Sequence, residues 1–199
     1  MNAVEQVVEA YFRLCKKCFT MADVKVAGGN NRQFDLLAYS PKDGSSYHVE
    51  PSVTHEVRWC PNSMEMVSQF DRKFLGVPPK RDGENTDHAR GKHYLEQINA
   101  TYVSFGLDPQ KIQRVYCCWD CGEPHLLAQT LAEYHVRTGL KIEYLSFRET
   151  VLPEVLIAVG MVSANYDEPV LRALSLVMEF FRQKRLGADE GSIPVSTNP

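Results

Sequence analysis

The chain has 199 residues, 44% of them hydrophobic and 24% charged, which is the composition of one folded soluble domain. Its net charge of −3, from 22 Lys+Arg against 25 Asp+Glu, excludes a strongly basic coat for nucleic acid, though not a local basic groove. Collagen-like, coiled-coil and wholly disordered chains are excluded as well, and no apolar run approaches the roughly 20 residues of a membrane span. The amino terminus carries acids and lacks a charged-then-apolar signal layout, so it reads as part of the fold and the compartment as cytoplasmic. The six cysteines are then expected to be reduced thiols.

Residues 2 to 18 predict a helix, with Val4, Val8, Tyr11 and Cys18 on one face. A short β-leaning stretch, Phe19 to Val26, leads to a turn at Gly28-Gly29-Asn30-Asn31. Phe34 to Tyr39 predicts a second strand, Pro41 to Gly44 a turn, and Tyr47 to His55 a third, alternating strand. Ser63 to Leu75 has helical spacing through Met64, Val67, Phe70 and Phe74. The stretch that follows, with Lys80-Arg81 and the Arg90-x-Lys92-His93 group, reads as an exposed mixed-charge loop. A helix at about 90 to 105 comes next. Ile112 to Cys118 fits a buried strand, Pro124 to Thr138 a helix stopped by Gly139, and Lys141 to Phe147 a last strand. Residues 149 to 160 and 167 to 185 are expected helices, and the polar residues 187–199 a tail outside the fold.

The predicted order is α-β-β-β-(α-α)-β-α-β-α-α. It describes an α/β domain over residues 1–186, a mixed five-stranded sheet with flanking helices and a helical insertion at about 61–107. The apolar last helices offer a face for a homodimer.

Two acids are placed suggestively. Asp35 opens the second strand and Glu50 lies in the third, one hairpin away, so antiparallel pairing brings both carboxylates to one end of the sheet. Two hard oxygen ligands and a main-chain carbonyl are what Mg²⁺ or Mn²⁺ takes, and such an ion polarises phosphoryl oxygens. The bland alternative makes Asp35 a turn cap and Glu50 a solvent-facing strand residue.

The order α-β-β-β-α-β, with an acid opening the second strand in Phe34-Asp35-Leu36-Leu37-Ala38 and an E-x-K-like stretch in His48-Val49-Glu50-Pro51-Ser52-Val53-Thr54, resembles the PD-(D/E)XK nuclease superfamily, the restriction-endonuclease-like fold. The resemblance covers residues 2 to 147 by topology and about twenty residues by motif. It implies a metal-dependent phosphodiesterase acting on nucleic acid. Asp35, Glu50 and the Pro51 carbonyl would hold Mg²⁺ or Mn²⁺, and Glu9 would serve a second ion, unless it is a solvated helix glutamate. The chain departs from the pattern at Ser52, which stands where the family carries its lysine; a neutral, short side chain neither activates water nor stabilises developing charge. Lys25, Lys16 and Lys17 are the candidate substitutes. Pro51, unable to donate to a ladder, favours an edge or bulged strand. A non-catalytic binding or assembly module with the same fold is the alternative.

A second constellation is Cys118-x-x-Cys121 with His125, which has the spacing of a zinc knuckle. Plain core packing is preferred for it, with Asp120 and Glu123 near the rim of the sheet.

Overall fold

Three antiparallel strands open the sheet and two parallel strands complete it. The computed structural model describes residues 1–29, 31–54, 60–78, 93–161 and 166–190, without the side chains of 186–190. Strands β1 (Phe19–Lys25), β2 (Gln33–Tyr39), β3 (Ser46–Pro51), β4 (Gln113–Cys118) and β5 (Ile142–Ser146) pair in chain order. The first two pairings are antiparallel and follow from tight turns, whereas β3–β4 and β4–β5 are parallel and need long crossovers. The first crossover carries α2 (Ser63–Phe70), continued by a π-helical turn (Asp71–Leu75), and α3 (Leu95–Ser104). The second is α4 (Leu127–Thr138), which ends as expected at Gly139 with φ of 74°. The fold is therefore the mixed five-stranded α/β sheet with flanking helices that the residue pattern predicts.

Alternation along the strands gives each face its own core. Leu36, Val49, Val115 and Cys117 point to one side, where they pack against α1 (Ala3–Ala10), its π-helical extension Tyr11–Cys15 and the last two helices, α5 (Leu152–Gly160) and α6 (Pro169–Glu190). Tyr116, Cys118 and Ile142 point to the other, against Met66, Phe70 and Phe74 of α2 and Tyr134 of α4. Beside them Phe34 and Leu37 pack on Ile98 and Tyr102 of α3.

Several local expectations are corrected. The first helix ends at Cys15; Lys17 takes φ of 58°, and Cys18 lies beyond the helix, its N–H bonded to the Phe12 carbonyl. On α2 the inward stripe starts from Met66, which is buried, while Met64 is 82% exposed. Helix α6 runs to Glu190, past the boundary expected at 186. Pro51 closes a central strand instead of an edge. Pairing with β2 has already ended at Val49, and the Ser52 N–H donates to the Cys117 carbonyl on the β4 side, so the donor Pro51 lacks would face a place where no ladder remains. His55, the Lys80-Arg81 pair and Arg90 to Lys92 lie outside the described residues, as do residues 191–199.

Candidate active site

The β2–β3 register continues the pairing of Leu36 with Val49 toward Asp35 and Glu50, and both acids come to the face covered by α2 and α3. The Asp35 N–H points at Glu50 Oε1 across 3.4 Å instead of at the β3 backbone. Phe34, the next residue back, also packs on this face against the His48 ring, so strict alternation breaks at the start of β2. The bland reading of a solvent-facing Glu50 is excluded, since the residue is 1% exposed.

A lysine stands between the two carboxylates, and it comes from a helix. Lys73 Nζ lies 2.8 Å from Asp35 Oδ2 and 2.7 Å from Glu50 Oε2. It occupies the π-helical turn that follows α2, where the wider i→i+5 turn shifts the side chains after Phe70 relative to an ordinary helix. Gly76 stops this turn in the left-handed conformation, φ 74°, and a Cβ there would come within 3.0 Å of Tyr94 Cβ. Arg32, from the turn before β2, donates to the Arg72 carbonyl and lies over the Tyr94 ring at 5.8 Å, tying the turn to the sheet.

None of the expected substitutes for Ser52 fills this place. Lys25 donates to Gln33 Oε1 at 2.9 Å, and Lys16 lies over the Tyr11 ring at 5.4 Å. Lys17 follows the first helix on the opposite face of the sheet. Ser52 itself follows β3 on the side of Glu50 and carries no charge. Glu9 is not brought to the pair, because α1 packs on the far face and the Glu9 carboxylate accepts from Thr20 Oγ1 at 2.8 Å.

The charges are tuned by burial and by one another. Burial would raise the Glu50 pKa, yet Lys73 and the His48 N–H pull it down to about 2. Asp35 moves the other way: burial and the neighbouring Glu50 charge push it up to about 7, against the pull of Lys73. The asymmetry has a simple cause, since Lys73 serves both carboxylates and His48 serves Glu50 alone. Burial alone would lower the Lys73 pKa, but the two carboxylates outweigh it and raise it. Complete burial lowers the His48 pKa, against the pull of the Glu50 carboxylate.

The donor chemistry suits a hard cation. Glu50 Oε2 is buried without a well-aligned hydrogen bond, although the Lys73 ammonium is close. The Pro51 carbonyl, one residue on, stands outside the β2–β3 ladder. Tyr116, in register with Glu50, has a buried hydroxyl that also lacks a partner. The carboxylate and main-chain carbonyl oxygens are donors of the kind Mg²⁺ and Mn²⁺ take. No group of three or more His, Cys, Asp or Glu side chains is gathered for a metal among the described residues.

The cysteine constellation is packed as core. The six cysteines are free. Cys118 Sγ points to the Asp120 carbonyl at 3.3 Å and Cys121 Sγ to Met66 Sδ at 3.8 Å, while His125 is exposed. Burial pushes the Cys118 thiol up to about 12, far from a reactive thiolate. Asp120 and Glu123 are taken by structure. Asp120 accepts from the Tyr144 hydroxyl and pairs with Arg148, and Glu123 accepts from the Ser63 N–H at the start of α2.

His48 and Lys73 are the residues that motif reading missed. His48 had a signal: it sits two residues before Glu50 on an alternating strand and so shares its face. Lys73 had one too, for it falls seven residues after Met66 on the stripe that carries Phe70 and Phe74, a charge in an apolar register.

No family model matches the chain, and a search of curated proteins finds no match. Among solved structures, the crystal structure of the protein of unknown function AF1548 matches with a TM-score of 0.41 and 15% identity, covering 95% of this chain and 97% of that one. No helix among the described residues is long and apolar enough to cross a membrane.

Proposed function

We propose that this protein is a metal-dependent phosphodiesterase of the PD-(D/E)XK type acting on nucleic acid, with Lys73 in the role that Ser52 cannot fill. One observation carries the reading: the Lys73 ammonium lies within 2.8 Å of both Asp35 and Glu50. Two acids on adjacent strands with a lysine at their carboxylates form the constellation that the sequence resemblance implies and that the local motif lacks. Asp35, Glu50 and the Pro51 carbonyl hold the ion. A bound Mg²⁺ or Mn²⁺ supplies polarisation of the phosphoryl oxygen and a more acidic water. Lys73 supplies positive charge where negative charge gathers on those oxygens. Arg32, which feels the Glu50 charge, and the exposed Arg72 add positive charge beside it.

A non-catalytic module is the second reading, favoured by the near-complete burial of Glu50 between His48 and Lys73. Cleavage of mixed DNA and RNA substrates with Mg²⁺ or Mn²⁺ separates the two. Lys73→Ala and Glu50→Ala should each lower the rate by a factor of about 100 or more, the scale of losing one charge-stabilising group. Ser52→Lys on the Lys73→Ala background should restore part of it, because position 52 shares the face of Glu50. Cleavage that survives Glu50→Ala sinks the site, and absence of both cleavage and cation binding in the wild type supports the non-catalytic module.

A further inference from the structure

Behind Glu50 lies a line of polar groups that reaches no solvent. His48 and Tyr102 are each 0% exposed. His48 Nε2 lies 2.6 Å from Glu50 Oε1, and His48 Nδ1 lies 2.6 Å from the Tyr102 hydroxyl. An ionised carboxylate can only accept, so Nε2 carries the imidazole proton and donates it to Glu50. In a ring with that single proton Nδ1 offers a lone pair, to which the Tyr102 O–H donates. The charge on Glu50 fixes the direction of the bond it receives.

The ring is held on its flanks as well. Phe34 lies 4.3 Å from the His48 ring and Phe74 5.1 Å, ring centre to ring centre. Arg114, in register with His48 on β4, does not compete for Glu50. Its guanidinium donates to the carbonyls of Ile112 and Pro109 and lies over the Tyr102 ring at 5.7 Å. Three elements thus meet on one imidazole: β3 supplies it, α3 orients its proton through Tyr102, and the turn after α2 packs Phe74 against it and presents Lys73 to the same carboxylate.

We propose that Tyr102 and His48 are positioning residues that fix the Glu50 carboxylate, turning Oε1 inward and leaving Oε2 as the oxygen offered to Lys73 and to a divalent cation. This rests on the reading of Asp35 and Glu50 as a cation-binding pair. A free glutamate exchanges rotamers and presents either oxygen, whereas the braced one presents a single oxygen in one place. Hydrogen bonds behind a ligating carboxylate typically affect metal affinity by about 10–100-fold.

Two amide variants of the full chain separate bracing from packing. His48→Gln puts an N–H where Nε2 stood and keeps the donor to Glu50; His48→Asn puts it where Nδ1 stood and removes that donor. Calorimetric titration with Mn²⁺ should give an affinity near wild type for His48→Gln and about 10–100-fold weaker for His48→Asn. Equal weakening of both variants, or no change in either, overturns the brace while leaving the cation-binding pair standing. A wild type that binds no Mn²⁺ overturns both. Nitrogen-15 spectra of the wild-type imidazole give a second measurement that needs no variant to fold. A ring protonated at Nε2 is the expected result, and a ring protonated at Nδ1 alone overturns the proposal.

Discussion

Asp35 and Glu50 have opposite pH signatures because one lone cation and one imidazole are divided unequally between them. Asp35 binds its proton more tightly folded than unfolded, with a pKa moved from 3.8 to about 7. It therefore adds stability that is fully present below about pH 4 and lost as pH rises through about 7. Glu50, held ionised down to about 2, adds stability that is present above its ordinary 4.5 and lost as pH falls toward 2. Urea midpoints measured between pH 4 and 7 should show the advantage of wild type over Asp35→Asn shrinking with rising pH. A difference that is flat over this window would show that Asp35 holds no such proton. The same balance makes the pair a better cation site at higher pH, since the proton on Asp35 must leave first. These residues were half legible in the sequence. Asp35 and Glu50 showed through strand position alone, because their partnership needs only a hairpin. Glu9 misled, because a helical periodicity says which residues share a face but not which side of a sheet that helix covers.

The segment that delivers Lys73 depends on how its helix ends. Gly76 has φ of 74° and stands against Tyr94, while Gly106, also at 74°, has open space where a Cβ would project. An alanine pays about 1–2 kcal/mol for the left-handed conformation at either position. At Gly76 it must also push Tyr94, whose ring stacks under Arg32. Chemical denaturation should thus show Gly76→Ala more destabilising than Gly106→Ala, and Mn²⁺ binding should weaken in the first alone. Equal losses at the two positions would mean that the turn yields freely and that its geometry does not place Lys73. The elements themselves were legible, as β2, β4, β5 and the Gly139 helix stop all fall within a residue or two of their expected bounds. The π-helical widening at Asp71–Leu75 was not, because i→i+5 bonding has no residue signature separable from an α-helix. Helical spacing puts Lys73 on the inward stripe, but nothing in the chain says that this stripe reaches an acid 38 residues away on β2.

Across the molecule, stability is concentrated on the sheet and thins along the last helix. Leu171 at its start is 2% exposed, whereas Phe180 and Phe181 are 59% and 51% exposed. Leu171→Ala should cost about 2–5 kcal/mol, and Phe181→Ser about 0.5 kcal/mol or less, in urea denaturation. A comparable loss from Phe181→Ser would reveal that the apolar end of this helix is covered in solution. The mixed sheet was legible as a whole because turns, crossovers and strand spacing constrain one another. The division of acids and lysine between sheet and crossover has a consequence for how the chain folds. The β2–β3 hairpin closes over 15 residues and sets two carboxylates side by side, while Lys73 arrives only when the crossover helix docks. Short loops close first, so the hairpin sets two like charges side by side before the helix brings the cation that offsets them. The ion pair then acts as a latch: a sheet that is electrostatically unfinished by itself draws in the segment that completes it.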